Sequence, residues 1–166
     1  SHMIHHLVDY GPGKPMRQGT QYLSSARSRV NFLGIGLEWI VPVGAVLVLL
    51  LTAFHHFRTH PVYQAVFIVT ALAWGWFMFN YMHDSMHIHG FWMENNSFLG
   101  RWYRSAREYH DIHHMTLSNE GRMTKNFGIC FFLFDRLFGS LLSDRAAFNQ
   151  EGLQAAYKRY AFIFNS

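Results

Sequence analysis

Two long apolar segments joined by a short polar turn constrain this chain more than any other feature. The first covers residues 36–54, GLEWIVPVGAVLVLLLTAF, and the second covers residues 62–82. Each is close to the ~20 apolar residues that a helix needs to cross a bilayer. Backbone polar groups must be hydrogen-bonded internally in lipid, so both segments are expected to be helical. The sequence therefore predicts an all-α integral membrane fold built on a two-span hairpin.

The composition agrees with this prediction. Only 14% of the residues are charged, whereas soluble domains average about 25%. A buried core helix is the alternative for the first segment, but no polar face recurs in it at helical spacing. The net charge of +4 favours anionic lipid headgroups. The basic residues form no run with interleaved aromatic residues, so nucleic acid is not an expected partner.

The chain is expected to form a single domain. Ser1 and His2 resemble a cloning scar, and Cys130, the single cysteine, cannot by itself build a disulfide or an iron–sulfur cluster. From residue 3 onward we predict four parts: an N-terminal arm (3–35), the hairpin (36–82), a histidine-rich region (83–142) and a C-terminal packing helix (143–166). Leu153, Ala156, Tyr157 and Tyr160 fall near helical spacing in the last part.

Two stretches of the histidine-rich region are expected near the membrane surface. Residues 91–107 mix aromatic side chains with arginines, as interfacial segments do. Arg101, Arg104 and Arg107 recur every third residue, giving a basic stripe that faces either lipid phosphates or solvent. Residues 126–142 are apolar but interrupted by charges, so we predict a helix lying against the membrane or the hairpin.

The distribution of basic residues predicts the orientation of the hairpin. Arg58 is the only Lys or Arg in the turn, whereas the others precede or follow the hairpin. The positive-inside rule therefore places the turn outside and both termini in the cytoplasm. A helix of about 20 residues separates its ends by ~30 Å. The turn histidines His55, His56 and His60 are thus not expected to share a metal with histidines that follow the hairpin.

Two histidine clusters follow the second apolar segment. His83 and His87 are four residues apart, and His110 is followed by His113 and His114, so each set can share one face of a helix. Neutral imidazole binds iron, copper and zinc, and the lack of cysteine ligands disfavours a structural zinc site. The clusters predict a metal site. Further candidates on the same side are His89 as a ligand and Asp84 and Asp111 as hydrogen-bonding partners of the imidazoles.

The stretches HDSMHIHG, REYHDIHHM and NFGICFFLFDRLFG resemble, in this order, the C-terminal half of the catalytic domain in the fatty acid hydroxylase and sterol desaturase superfamily. The match covers about residues 81–139. It implies a membrane enzyme with a histidine-ligated di-iron centre that uses O2 and external electrons to hydroxylate or desaturate a C–H bond of a lipid. The resemblance makes His83, His87, His110, His113 and His114 metal ligands, with Asn126 of the N-[YF]-G segment supporting them.

The upstream histidine boxes of that superfamily are not reproduced in this chain. Two metals need more than five ligands, so His5 and His6 of the N-terminal arm, together with His89, are the expected replacements. The chain carries no fused haem or flavin domain, so an external electron donor of the cytochrome b5, ferredoxin or flavoprotein type is expected. Two spans make a thin wall around a lipid tunnel, which a homo-oligomer would complete.

Other functions stay open on the sequence alone. One is a metal-binding membrane protein without oxygenase chemistry, a degenerate member of the superfamily. Another is a haem carrier with two histidine ligands. Zinc can take the place of iron in a purified sample, and the sequence determines neither the substrate nor the choice between hydroxylation and desaturation.

Overall fold

The computed structural model describes residues 6–7, 40–88, 90–144 and 148–164. Within these ranges the regular elements are helices, with an isolated bridge between Leu117 and Met123. The predicted all-α class is therefore confirmed for the part of the chain described. His89 and the N-terminal arm apart from residues 6–7, including His5, lie outside it.

The chain divides into two compact units. The described part of the first unit is residues 40–84. The second unit contains residues 6–7 together with the described residues from Ser85 onward. The apolar hairpin belongs to the first unit, and the second unit carries most of the histidine-rich region.

The first unit is a pair of helices. Helix α1 runs from Ile40 to His56 and helix α2 from Pro61 to Trp76. The rings of Phe54 and Phe67 meet edge to face at 5.3 Å and join the two helices near their connection. Proline is well placed at the start of α2, because its missing N–H would have no partner in the first turn.

The second helix does not end at Trp76. It continues through a π-helical segment, Phe77–Met82, into a final helical turn, His83–Ser85. The whole helix from Pro61 to Ser85 has 25 residues and is the one described helix that is long and apolar enough to cross a membrane. Only 6% of its apolar window is buried, so it is not packed as the core helix of a globular protein would be. Helix α1 is apolar but shorter.

The second unit contains shorter elements around one long helix. A 3-10 turn at Trp92–Asn95 precedes helix α3, Gly100–Met115. Helix α4 follows at Leu133–Leu137, helix α5 at Gln150–Arg159 and a last 3-10 turn at Ala161–Ile163. Helix α3 carries the largest set of buried histidines and is the main support of the site described below.

The C-terminal helix packs as predicted. Leu153 and Ala156 are buried against Leu7 and Leu117, with Tyr157 and Tyr160 at the edge of the same core. Gly121 lies so close to α5 that a Cβ there would overlap the backbone of Ala156, and its φ is +73°. Only glycine fits this position, because it has no Cβ and tolerates positive φ.

Residues 126–142 are mostly not helical, which corrects the prediction of a helix there. Only the five residues of α4 form one. Asn126 has φ 53° and Gly139 has φ 70°, neither of which a helix permits. The carboxylate of Asp135 accepts hydrogen bonds from the backbone N–H groups of Phe127 and Gly128, so the loop before α4 is fixed by a side chain instead of by helical hydrogen bonds.

The predicted arginine stripe is also wrong for one of its three members. Arg101 and Arg104 are exposed, but Arg107 is only 2% exposed. Its guanidinium forms an ion pair with Glu94, with 2.9 Å between Nη1 and Oε2. In a helix of 3.6 residues per turn, residues spaced three apart do not lie on one line along the helix. The third arginine of such a run can therefore face the interior while the first two face solvent.

Candidate metal centre

Three imidazoles of the second unit converge on one point. His110 and His114 lie one turn apart on α3, and His87 lies in the turn that follows Ser85. The Nε2 atom of His110 is 2.9 Å from Nε2 of His87 and 3.2 Å from Nε2 of His114. All three residues are at most 3% exposed. The facing ring nitrogens are therefore shielded from water.

This donor set fits a metal ion. Imidazole nitrogens bind zinc at about 2.0–2.1 Å. Two such nitrogens at a ligand–metal–ligand angle of roughly 90–100° lie about 2.8–3.2 Å apart, the range in which both separations fall. Facing nitrogen lone pairs repel one another unless a cation or a shared proton lies between them, so the arrangement suits cation binding.

His83 lies in the first unit, in the last turn of the long helix, and its predicted role as a ligand stays a prediction. His83 and His87 do not share one helical face, however. The helix ends at Ser85, whose carbonyl accepts a hydrogen bond from the N–H of Ile88 at 3.0 Å, so His87 reaches the cluster from a turn.

The tautomer of His113 follows from its hydrogen bond. Its Nδ1 lies 2.7 Å from the carbonyl oxygen of Lys125. A carbonyl can only accept, so Nδ1 carries the proton and Nε2 keeps the lone pair that a metal needs. Burial lowers the pKa of His113, and the Lys125 carbonyl and the Asp135 carboxylate oppose this effect. The neutral, metal-binding form is thereby favoured.

His6 is the described member of the predicted N-terminal pair. It is 3% exposed, and its ring centroid lies 4.0 Å from that of His114 and 4.8 Å from that of His113. The structure thus brings this residue beside the α3 histidines. Among the described residues, the group of converging ring nitrogens does not include His6 or His113.

The remaining predicted residues differ in how they relate to the site. Asp111 is fully buried on α3 between His110 and His113, and Asp84 is 9% exposed at the end of the long helix. Their predicted role as partners of the imidazoles stays a prediction. His60 is exposed and caps α2 by accepting a hydrogen bond from the N–H of Val62, which is a structural role.

Asn126 supports the site through the backbone of α3. Its Nδ2 donates to the carbonyl of Tyr109, the residue before His110, and to the carbonyl of Leu142. Its Oδ1 accepts from the N–H of Leu142. Asn126 therefore anchors the loop after Lys125 to the helix that carries three histidines. Asparagine suits its φ of 53° because it tolerates the left-handed region better than most residues.

A buried network around Arg107 holds the segment of His87 against α3. The Arg107 Nη2 donates to the carbonyl of Ile88 at 3.0 Å and to the hydroxyl of Tyr103 at 3.0 Å. The Tyr103 hydroxyl donates to the carbonyl of Ser85 at 2.7 Å. Burial raises the pKa of Tyr103 although Arg107 lies beside it. These bonds fasten residues on both sides of His87 to α3.

Sequence reasoning missed Arg107 and Tyr103 as supporting residues. A signal was present, because positions 103, 107, 110 and 114 follow the spacing of one helix face. If His110 and His114 face the interior, Tyr103 and Arg107 do as well. The partner Glu94 lies in a different element and had no such signal.

Comparison of the chain with family models, with curated proteins and with solved structures finds no match.

Proposed function

We propose that this protein is a membrane-bound non-haem di-iron oxygenase that hydroxylates or desaturates a C–H bond of a lipid-like substrate. The observation that carries the proposal is the buried convergence of the His87, His110 and His114 ring nitrogens. The resemblance of residues 81–139 to the fatty acid hydroxylase and sterol desaturase superfamily supports it. Membership in that superfamily is part of the proposal.

Each histidine has a proposed part. His87, His110 and His114 would hold one iron, His113 and His6 would contribute to the second, and His83, His5 and His89 would complete the ligand set. Iron bound here supplies the redox chemistry that activates O2. The chain itself excludes water through burial of the ligands, fixes the His113 tautomer through the Lys125 carbonyl and holds His87 in place through Arg107.

The membrane part of the proposal is supported by the long apolar helix Pro61–Ser85. In this arrangement α1 and α2 form the hairpin, the turn from His55 to His60 lies outside, and the termini and metal centre lie in the cytoplasm. A separate cytoplasmic protein of the cytochrome b5, ferredoxin or flavoprotein type delivers electrons. A homo-oligomer completes the wall around the substrate.

A metal-binding membrane protein without oxygenase activity is the second candidate. One observation favours it: the ring nitrogens of His87, His110 and His114 converge on one point, which suits one ion, whereas the oxygenase needs two. This protein would store, sense or carry a metal at the membrane.

Metal counting separates the two candidates. The protein is expressed with iron, purified from membranes in detergent and analysed for metals per chain, and lipids of the expressing cells are searched for oxidised products. Two irons per chain with new oxidised lipids agree with the oxygenase. One metal per chain and unchanged lipids contradict it and favour the second candidate. A Soret absorption band would instead identify a haem carrier.

A further inference from the structure

Six large apolar side chains are exposed on one short stretch of the second unit. They are Phe127, Phe131, Leu133, Phe134, Leu137 and Phe138, between 57% and 80% exposed, and together they are called the apolar ridge. An aromatic side chain has roughly 150–250 Å² to bury. The ridge therefore exposes on the order of several hundred Å², as much as the largest apolar patch of a typical monomer. A patch of this size indicates an interaction surface.

The ridge is held outward by hydrogen bonds beneath it. The Asp135 carboxylate is buried and accepts from the N–H groups of Phe127 and Gly128 and from the Ser140 hydroxyl. The ring of Phe134 stacks on that of Phe138 with centroids 6.2 Å apart. The exposure of these side chains thus follows from a fixed backbone.

Along the chain, the exposed or half-buried charged side chains within and next to the ridge are basic. Arg136 lies within α4 and is exposed, and Lys125, which precedes the ridge, is half-buried with its Nζ donating to the Gly139 carbonyl. Asp135 is the one acidic residue between Lys125 and Gly139, and it is turned inward. Aromatic and aliphatic side chains flanked by cations are typical of segments that lie in a membrane interface.

We propose that the apolar ridge inserts into the headgroup region of a bilayer that contains anionic lipid, with Arg136 and Lys125 at the level of the phosphates. Cations near such a surface are attracted by its negative potential. A second copy of this chain is a poorer occupant, because a two-fold interface would bring each ridge and its cations against the same cations of the partner. This inference goes beyond the proposed function, since it requires neither metal nor O2.

A spin label on the ridge tests the insertion. The full-length Leu137→Cys variant is labelled with a methanethiosulfonate nitroxide and reconstituted into phosphatidylcholine vesicles containing phosphatidylserine. Burial raises the pKa of Cys130 to about 12, so the native thiol reacts little, and the labelled wild-type protein gives the background. The matched control is Glu120→Cys, which lies in an exposed polar loop.

Collision rates with oxygen and with a water-soluble nickel chelate then report the surroundings. We expect the label at Leu137→Cys to collide several-fold more with oxygen than with the chelate, and the label at Glu120→Cys to show the reverse. Equal chelate access at both positions would overturn the proposal. Low access to both reagents, with dipolar broadening between labels, would also overturn it in favour of a self-associated dimer.

Lipid charge tests the second part of the proposal. In vesicles of phosphatidylcholine alone, or with the additional change Arg136→Gln, we expect the ratio of oxygen to chelate collisions at Leu137→Cys to fall at least two-fold. A ratio that is unchanged in both cases contradicts the role of anionic lipid. Circular dichroism and metal content of each variant, compared with wild type, show that the fold is intact. These readouts do not depend on turnover, so failure of the oxygenase proposal leaves them unaffected.

Discussion

Single side chains decide whether the candidate centre can bind a metal. The Nε2 atoms of His87, His110 and His114 form the tightest group of donors in the described chain. Two of them are held by α3 and the third by the turn after Ser85. Loss of any one leaves a gap that its neighbours, fixed by packing, cannot close.

The first prediction concerns His114. The change His114→Ala should lower metal affinity by at least about 100-fold, because the loss of a ligand is expected to exceed the 10–100-fold effect of losing a residue that only supports one. Metal content after equilibrium dialysis measures this. The control is His60→Ala, which removes an exposed cap of α2 and should leave metal content unchanged. Loss of metal in the control would contradict the assignment of the turn histidines.

The second prediction concerns Arg107. The change Arg107→Gln leaves Glu94 without its ion pair and removes the donor to the Ile88 carbonyl. Breaking an ion pair whose arginine is buried and whose carboxylate is partly exposed should cost about 2 kcal/mol of unfolding free energy, less than a fully buried pair. Metal affinity should fall as well, because His87 loses its support. Denaturant titration and dialysis measure the two effects. The control is Arg101→Gln, at an exposed position on the same helix, which should change neither stability nor metal affinity. Equal stability and metal affinity of the two variants would exclude a positioning role for Arg107.

At the scale of secondary structure, the helices and loops bring the residues of the candidate metal centre to one place. Helix α3 presents Tyr103, Arg107, His110 and His114 on one face, which joins the supporting network and the ligands in a single rigid element. The long helix Pro61–Ser85 changes to π-helical form over its last turns before His83, and such segments are often found at functional sites. The loop from Asn126 to Gly139 is joined to α3 by the hydrogen bond from the Asn126 side chain to the Tyr109 carbonyl.

The third prediction concerns that loop. Asn126→Ala removes three side-chain hydrogen bonds, worth roughly 3 kcal/mol together, at a residue with positive φ. Asn126→Gly loses the same bonds but tolerates the φ, so it should be about 1 kcal/mol less destabilising. Chemical denaturation of the purified protein compares them. Equal stability of Asn126→Gly and wild type would show that the side-chain hydrogen bonds of Asn126 contribute nothing to the free energy of unfolding.

At the scale of the whole molecule, the question is where the chain lies relative to a membrane. One described helix is long and apolar enough to cross it, and the apolar ridge of the second unit offers a separate contact with lipid headgroups. The distribution of arginine and lysine residues adds a predicted orientation.

The fourth prediction tests this orientation by labelling. A membrane-impermeant maleimide applied to intact cells should label Phe57→Cys, which is 76% exposed in the turn after α1, and should label Glu120→Cys only after the cells are broken. Cys130 is buried and its pKa is raised, so the wild-type background should be low. Labelling of both variants in intact cells would contradict the proposed cytoplasmic placement of the metal centre.

Several features could be read from the sequence because they depend on local spacing. The helix that carries His110, His113 and His114, the packing helix with Leu153 and Ala156, and the long apolar helix that ends near the first cluster all follow from residue periodicity. Side chains three or four residues apart on a helix must share a face whatever the rest of the chain does.

Other features were decided only by tertiary structure, because they join residues that are distant in sequence. His87 enters the group from a turn, the Arg107 guanidinium is drawn inward by Glu94 and the Ile88 carbonyl, and Asp135 replaces helical hydrogen bonds between residues 126 and 139. A buried polar group must find a partner, and the sequence does not say which segment will supply it. The sequence therefore determined which residues were available to bind a metal, whereas packing decided which of their nitrogens converge.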